Sequence, residues 1–252
     1  MPPVLCIRKN NLQIISRAVA VDLDGTLVHT VPGEYTMPGR SRDCYVSQKT
    51  IALLAKMSQQ IPTFITTGRN APSVRKLTHQ IPEVAFAGFV LENGFVVKKD
   101  INSPDPQKKN WKFADKVPPD WEIIPGYERS VGFILPKGVK KPEHVVQQLL
   151  KDTGEEGYVC FQHPKIFVYP GEPDKMLGLS SFNMYPYIAL GNDLNDIQLL
   201  EQSTHPVTLQ TAHRTIREIV QKKNGYCSPF THHAGAEDML RWASSKIFDA
   251  LS

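Results

Sequence analysis

No stretch of the 252-residue chain approaches the roughly 18 uninterrupted apolar residues of a membrane span. Arg8 and Lys9 near the N-terminus are not followed by an apolar core, so neither a membrane protein nor a secreted one is expected. The four cysteines, Cys6, Cys44, Cys160 and Cys227, make no C-x-x-C pair. That removes support for a zinc ribbon or a thioredoxin-type centre and fits free thiols in a reducing cytoplasm. No G-x-G-x-x-G follows the first apolar segment, which argues against a nucleotide-dependent oxidoreductase. Neither sign of charge dominates: 29 Lys and Arg stand against 25 Asp and Glu, a net charge of +4. The excess is too slight to argue for nucleic acid and suits a small anionic ligand equally well. Internal repeats and low-complexity tracts are also missing. What remains is a chain long enough for one large domain, or one with a substantial insertion, that needs no disulfide or structural metal to fold.

The apolar pattern supplies the elements. Residues 17–22 read as a short buried strand of a parallel sheet, followed by Asp24-Gly25. Ser47 offers an N-cap to a helix with Ile51, Leu54 and Ala55 on one face. A second buried strand, 61–66, ends at Gly68, and Pro72 suits the first turn of a short helix to about Gln80. A third strand, 84–91, closes at Asn93-Gly94. This is the strand–helix alternation of an open α/β sheet. Residues 101–119 hold four prolines and little periodicity and read as an exit from that domain. Strands at 131–135, 158–162 and 166–169, with a helix at 142–151, make a small α+β module. The α/β rhythm then returns: a helix near Lys175, a strand at 187–190 and a helix from Asn195. A strand near 206–209, a helix at 215–221 and a last helix over about 236–251 complete it.

Four clusters fall at the ends of these strands or between them. Asp22-Leu23-Asp24-Gly25-Thr26 follows the first strand, where a period of two aims both carboxylates at one pocket. Ligands of open α/β sheets bind at that edge. Two like charges so close repel, and Mg²⁺, a hard cation that prefers carboxylate oxygens, relieves the repulsion. Thr66-Thr67-Gly68-Arg69 follows the second strand, where a hydroxyl and the amides of a glycine turn make an anion cradle. Asn192-Asp193-Leu194-Asn195-Asp196 follows Gly191 and another apolar strand, and its oxygens suit Mg²⁺ or, on the plainer view, a helix cap. Lys175 alone reads as a solvated charge.

Taken in this order, the pieces resemble the haloacid dehalogenase superfamily of phosphatases. The match runs from Asp-x-Asp-Gly-Thr through a strand ending in Thr-Gly-Arg and a Lys to a Gly-(Asp)-x-x-Asn-Asp cluster. The insertion resembles that superfamily's type IIB cap, as in sucrose-phosphate phosphatase, mannosyl-3-phosphoglycerate phosphatase and related sugar phosphatases. Glu92-Asn93-Gly94 and His233-Ala234-Gly235-Ala236 add to the likeness. The fold so implied is α/β, a Rossmann-like open parallel sheet core with an inserted α+β cap domain. Core residues would be 1–100 and 171–252, and the specificity cap 101–170.

The resemblance implies roles. Asp22 would be the nucleophile and Asp24 the general acid and base. Thr67 would bond a phosphoryl oxygen, and Lys175 would neutralise charge between Asp22 and the phosphate. Mg²⁺ would sit among Asp22, Asp24, Asn192, Asp193 and Asp196, with Asn192 standing where the family usually has an aspartate. Gly68, Arg69, Asn93 and Asn195 are candidate substrate contacts. Arg40, Arg42, His163 and Lys165 could read sugar hydroxyls or a carboxylate. The expectation is a cytoplasmic, Mg²⁺-dependent phosphatase of small sugar phosphates or phosphorylated sugar acids. No nucleic-acid or membrane partner is expected, and the chain would be a monomer or homodimer. A phosphomutase, or a regulatory protein on a weakened phosphatase core, is the alternative.

Overall fold

The structure is a computed structural model that describes residues 4–8, 11–37, 43–104 and 108–249. The chain divides into two units, 1–102 with 174–252, and 103–173. In chain order, the first unit begins with β1 Val4–Arg8, β2 Asn11–Val21, β3 Tyr35–Met37, β4 Cys44–Val46, α1 Gln48–Ser58, β5 Thr63–Thr66, α2 Ala71–Thr78, β6 Phe86–Leu91 and β7 Val96–Lys98. The second unit holds β8 Glu122–Ile124, β9 Val131–Ile134, α3 Pro142–Thr153, β10 Tyr158–Gln162 and β11 Lys165–Tyr169. The first then resumes with α4 Lys175–Ser180, β12 Met184–Leu190, α5 Ile197–Gln202, β13 His205–Leu209, α6 Arg214–Lys222, β14 Tyr226–Ser228 and α7 His232–Asp249.

The main sheet runs β14-β13-β12-β2-β5-β6-β7, with β1 attached to β2. Its central strands are parallel, while β7 and β1 pair antiparallel to their neighbours. Alternation along β2 explains how the sheet is covered. Val19 and Val21 join the layer of Ile51, Leu54, Val74, Leu240 and Ile247 from α1, α2 and α7. Ala18 and Ala20 face Leu179, Leu199, Ile216 and Val220 from α4, α5 and α6. Residues at odd and even positions of a strand point to opposite faces, so a run apolar at both parities must be buried on both. The architecture is therefore the Rossmann-like α/β core that the strand and helix rhythm predicts, with a mixed rather than wholly parallel sheet.

Local chemistry sets the helix starts. Ser47 Oγ accepts from Thr50 N at 3.1 Å to cap α1. Asn70 Oδ1 accepts from Ser73 N at 3.0 Å to cap α2, which carries Pro72 in its first turn. Such caps contribute about 1 kcal/mol each.

The second unit is a four-stranded antiparallel sheet, β10-β11-β9-β8, with α3. Ile166 and Val168 of β11 meet Val146 and Leu150 of α3 in one apolar cluster. Trp111 and Phe113 belong to that cluster, so the segment expected as an exit supplies core aromatics. The register sets Tyr158 beside Tyr169 and Gln162 beside Lys165. Among the described residues, no helix is long and apolar enough to cross a membrane.

Candidate active site

Four strands end at one edge of the main sheet, each passing into a functional loop. β2 leads to Asp22, β5 to Thr67, β6 to Glu92-Asn93 and β12 to Gly191-Asn192. β12 and β5 flank β2, and their crossovers run to opposite sides, which opens a crevice at the carboxyl ends. Backbone bonds hold the loops in register. Asp22 N donates to Leu190 O at 2.9 Å, Thr67 N to Val90 O at 2.8 Å and Asn93 N to Thr67 O at 3.0 Å.

Lys175 reaches the same edge through the β6 loop. Asp174 N donates to Asn93 O at 3.0 Å, while Asp174 Oδ1 caps α4 by accepting from Met176 N at 2.8 Å. Gly94 makes that approach possible. Its φ is +107°, and a Cβ there would stand 2.0 Å from the Asp174 carbonyl oxygen. Only glycine tolerates both conditions. The result is a buried triad. Lys175 Nζ lies 2.7 Å from Asp22 Oδ1 and 2.6 Å from Asp196 Oδ1, and Lys175 and Asp196 are 0% exposed.

Burial pushes the Asp22 carboxyl up to about 7, opposed by the Lys175 charge and reinforced by Asp196 and Asp24. Burial alone would lower Lys175, but the two carboxylates outweigh it and hold the ammonium firmly charged. A perturbed carboxyl beside a fixed cation at the carboxyl edge of a sheet marks a candidate functional site.

The remaining expected residues divide. Thr67 is buried, and its Oγ1 accepts from Arg69 N at 3.2 Å. Asn195 Nδ2 donates to Asn93 Oδ1 at 2.9 Å, which brings two of the candidate substrate contacts together beside Gly68. Arg69 does not project freely. Its Nε and Nη2 fork onto Asp24 Oδ2 and Oδ1 at 2.7 and 2.5 Å. Burial would lower the guanidinium, yet the bonds and charge of Asp24 shift it upward. Asp193 and Asp196 already have partners. Asp196 Oδ2 accepts from Asn192 N at 2.9 Å and Asp193 N at 3.1 Å, so with Lys175 on Oδ1 both oxygens are engaged. Asp193 is exposed, and its Oδ1 caps the following turn through Leu194 N at 2.7 Å. Arg40 and Arg42 lie outside the described residues.

Three oxygens are left facing one another. The Asn192 side-chain oxygen lies 3.0 Å from the Asp24 carbonyl and 3.2 Å from Asp22 Oδ2, with Thr26 Oγ1 at 3.0 Å. The single Thr26 hydroxyl proton can serve Asn192 or Asp22 but gives nothing to the contact between Asn192 and the Asp24 carbonyl. Exchanging the amide oxygen and nitrogen would supply donors. An octahedral Mg²⁺ would serve equally, since bonds of 2.0–2.1 Å set adjacent ligand oxygens ~3 Å apart. The donor set therefore fits Mg²⁺. It comprises one carboxylate, one amide and one peptide carbonyl, in keeping with the finding that no three His, Cys, Asp or Glu among the described residues group as ligands.

The sequence reading assigned no role to Thr26 or His29. Thr26 Oγ1 donates to Asp22 Oδ2 at 3.1 Å and fixes the carboxylate plane; its signal was the hydroxyl inside the Asp-x-Asp-Gly-Thr run. His29 is 6% exposed and packs edge-on against His232 and His233, which sequence distance concealed.

Comparison with known proteins places these features. Residues 19–112 match the model of the haloacid dehalogenase-like hydrolases. No curated protein matches the chain in sequence. Solved structures share the fold nearly end to end. One from Thermoplasma acidophilum aligns at 15% identity and TM-score 0.61, covering 90% of this chain and 97% of its own. A Bacteroides thetaiotaomicron protein described among phosphatases of the haloalkanoate superfamily aligns at 16% and 0.61, covering 93% and 98%. The sucrose-phosphatase of Synechocystis sp., solved with sucrose and phosphate, aligns at 18% and 0.56, covering 92% and 98%. At such identities the structures establish the common fold.

Proposed function

We propose that this chain is a haloacid dehalogenase-like hydrolase and a phosphatase of small phosphorylated sugars or sugar acids. The observation that carries the reading is the buried Asp22, held by Lys175 on one oxygen and Thr26 on the other at the carboxyl edge of the sheet. A carboxylate so fixed needs no reorientation to attack an electrophile.

In the first half-reaction an Asp22 oxygen attacks phosphorus, the bond to the leaving alkoxide breaks, and Asp24 supplies that oxygen with a proton. In the second, Asp24 takes a proton from water, which displaces Asp22 and releases inorganic phosphate. Lys175 opposes the upward shift that burial gives Asp22 and offsets charge on the transferring group. The Thr67 hydroxyl and the amides of the Gly68 turn offer donors to phosphoryl oxygens. Arg69 now occupies both oxygens of Asp24. A phosphate dianion competes for a guanidinium fork, so the arriving substrate would draw Arg69 off and free Asp24 for proton transfer. Asp22, the Asp24 carbonyl and Asn192 would hold Mg²⁺, which when bound stabilises negative charge on the transferring phosphoryl. The second unit, expected as the specificity cap, would select the alcohol.

The test is phosphate release from a panel of sugar phosphates and phosphorylated sugar acids, with and without Mg²⁺. Turnover of at least one compound by wild type, and none by Asp22→Asn, is expected. Release that persists in Asp22→Asn removes Asp22 from the nucleophile role.

A further inference from the structure

The oxygen cluster carries less negative charge than its geometry invites. Of the three converging oxygens, only Asp22 Oδ2 belongs to an ionisable side chain. Lys175 offsets one of the two carboxylates it joins, and Arg69 pairs with the side chain of Asp24. Three carboxylates against two cations leave this paired set at a net charge of −1. A divalent cation placed there ends in positive surplus beside a buried ammonium. A phosphate dianion, in turn, meets only weak net repulsion and two cationic groups.

Resting on the phosphatase reading, we propose that Asn192 divides the affinity of this site between its two ligands. It weakens the hold on the divalent cation and strengthens the hold on the phosphate group, so that the anion can bind before the metal. A negative charge at position 192 would act in opposite senses on the two, because it attracts a cation and repels an anion at the same place. The mutual attraction of the two ligands is a reciprocal property of the pair and changes little. The metal-free protein also responds. A carboxylate oxygen at the place of the Asn192 amide oxygen faces the Asp24 carbonyl and Asp22 Oδ2 at 3.0 and 3.2 Å, with the Thr26 hydroxyl as its nearby donor.

The experiment compares the full wild-type chain with Asn192→Asp and Asn192→Ala. Mn²⁺ binding is read without phosphate from the paramagnetic resonance of the free ion. Inorganic phosphate binding is read by calorimetry in chelator, and melting temperature with and without Mg²⁺. In Asn192→Asp the Mn²⁺ half-saturation should fall about tenfold or more while the phosphate Kd rises by a similar factor. This variant should melt below wild type in chelator and gain more from Mg²⁺. Asn192→Ala, which adds no charge, should weaken Mn²⁺ and leave phosphate within about twofold, the range expected without a change of charge. Shifts of both ligands in the same direction in Asn192→Asp, or of neither, overturn the inference. If wild type hydrolyses a phosphomonoester all the same, the phosphatase reading survives that failure. A wild type that neither binds phosphate nor releases it from any monoester defeats the reading itself.

Discussion

Replacing Lys175 by methionine removes the cation between two buried carboxylates without changing the side-chain length greatly. In the wild type, Nζ lies 2.7 and 2.6 Å from Asp22 and Asp196, with Lys175 fully buried. At an effective dielectric of about 20, each contact is a Coulomb attraction of roughly 6 kcal/mol before desolvation is subtracted. The net worth of the pairs is far smaller, but breaking them strands two charges, which typically costs about 3–5 kcal/mol. The loss is capped because Asp22, already pushed up to about 7 with Lys175 present, takes up a proton once the ammonium is gone. For a chain of this size, 3–5 kcal/mol corresponds to a fall of roughly 6–20 °C in Tm. Urea unfolding followed by circular dichroism measures the first quantity and a thermal scan the second. Activity should be lost by about a thousandfold or more, since a protonated Asp22 is no nucleophile. The double variant Lys175→Met with Asp196→Asn should recover more than half of the lost stability, because one stranded charge is removed, and recover none of the activity. A Lys175→Met protein within about 1 kcal/mol of wild type, below the cost of stranding a buried charge, would refute the ionised triad as the organising feature of this site.

Further expectations concern three residues. Asp22→Asn should keep the fold, as an amide is nearly isosteric, and lose turnover; activity within about tenfold of wild type, a barrier change of only ~1.4 kcal/mol, would contradict it. His29 is lowered to about 4 by burial first and then by the His233 and His232 charges, with Thr26 and Asp24 opposing. Because its folded value lies below the ordinary 6.5, the unfolded chain binds the proton first. Stability is therefore fully present above pH 6.5 and falls toward pH 4, by up to about 3 kcal/mol. Urea titrations across that interval should show the slope flattened in His29→Gln, and an unchanged slope would exclude His29 as its source. Gly94→Ala sets a side chain at φ +107° and 2.0 Å from the Asp174 carbonyl. It should cost at least about 2 kcal/mol and displace Lys175, so near-wild-type stability and activity together would show that the β6 loop does not place α4.

Much of the fold could be read from local pattern because its causes are local. The strand expected at 158–162 is Tyr158–Gln162, and the Ser47 cap and the Pro72 turn stand where their chemistry puts them. The strand expected at 17–22 belongs to the longer Asn11–Val21, whose first half mixes polar and apolar residues without a continuous apolar run. Three-residue strands such as Tyr35–Met37, Val96–Lys98 and Tyr226–Ser228 escaped notice. They are too short to show a period of two and exist because a neighbouring edge offers hydrogen bonds.

The site divides in the same way. Sequence alone determined that Asp22, Thr67 and Asn192 follow apolar strands, since a strand's exit depends on the residues beside it. Only the tertiary structure decided strand order, and with it which exits meet. It brought Lys175 to Asp22 across 153 positions and used both oxygens of Asp196 to hold the lysine and the Asn192 loop. It also gave Arg69 to Asp24 and turned Asp193 outward to cap a turn. Oxygen-bearing residues in one short run look alike as ligands on paper. Which of them faces the crevice depends on backbone direction at each position, and that is fixed by packing and hydrogen bonds from segments far away in the chain.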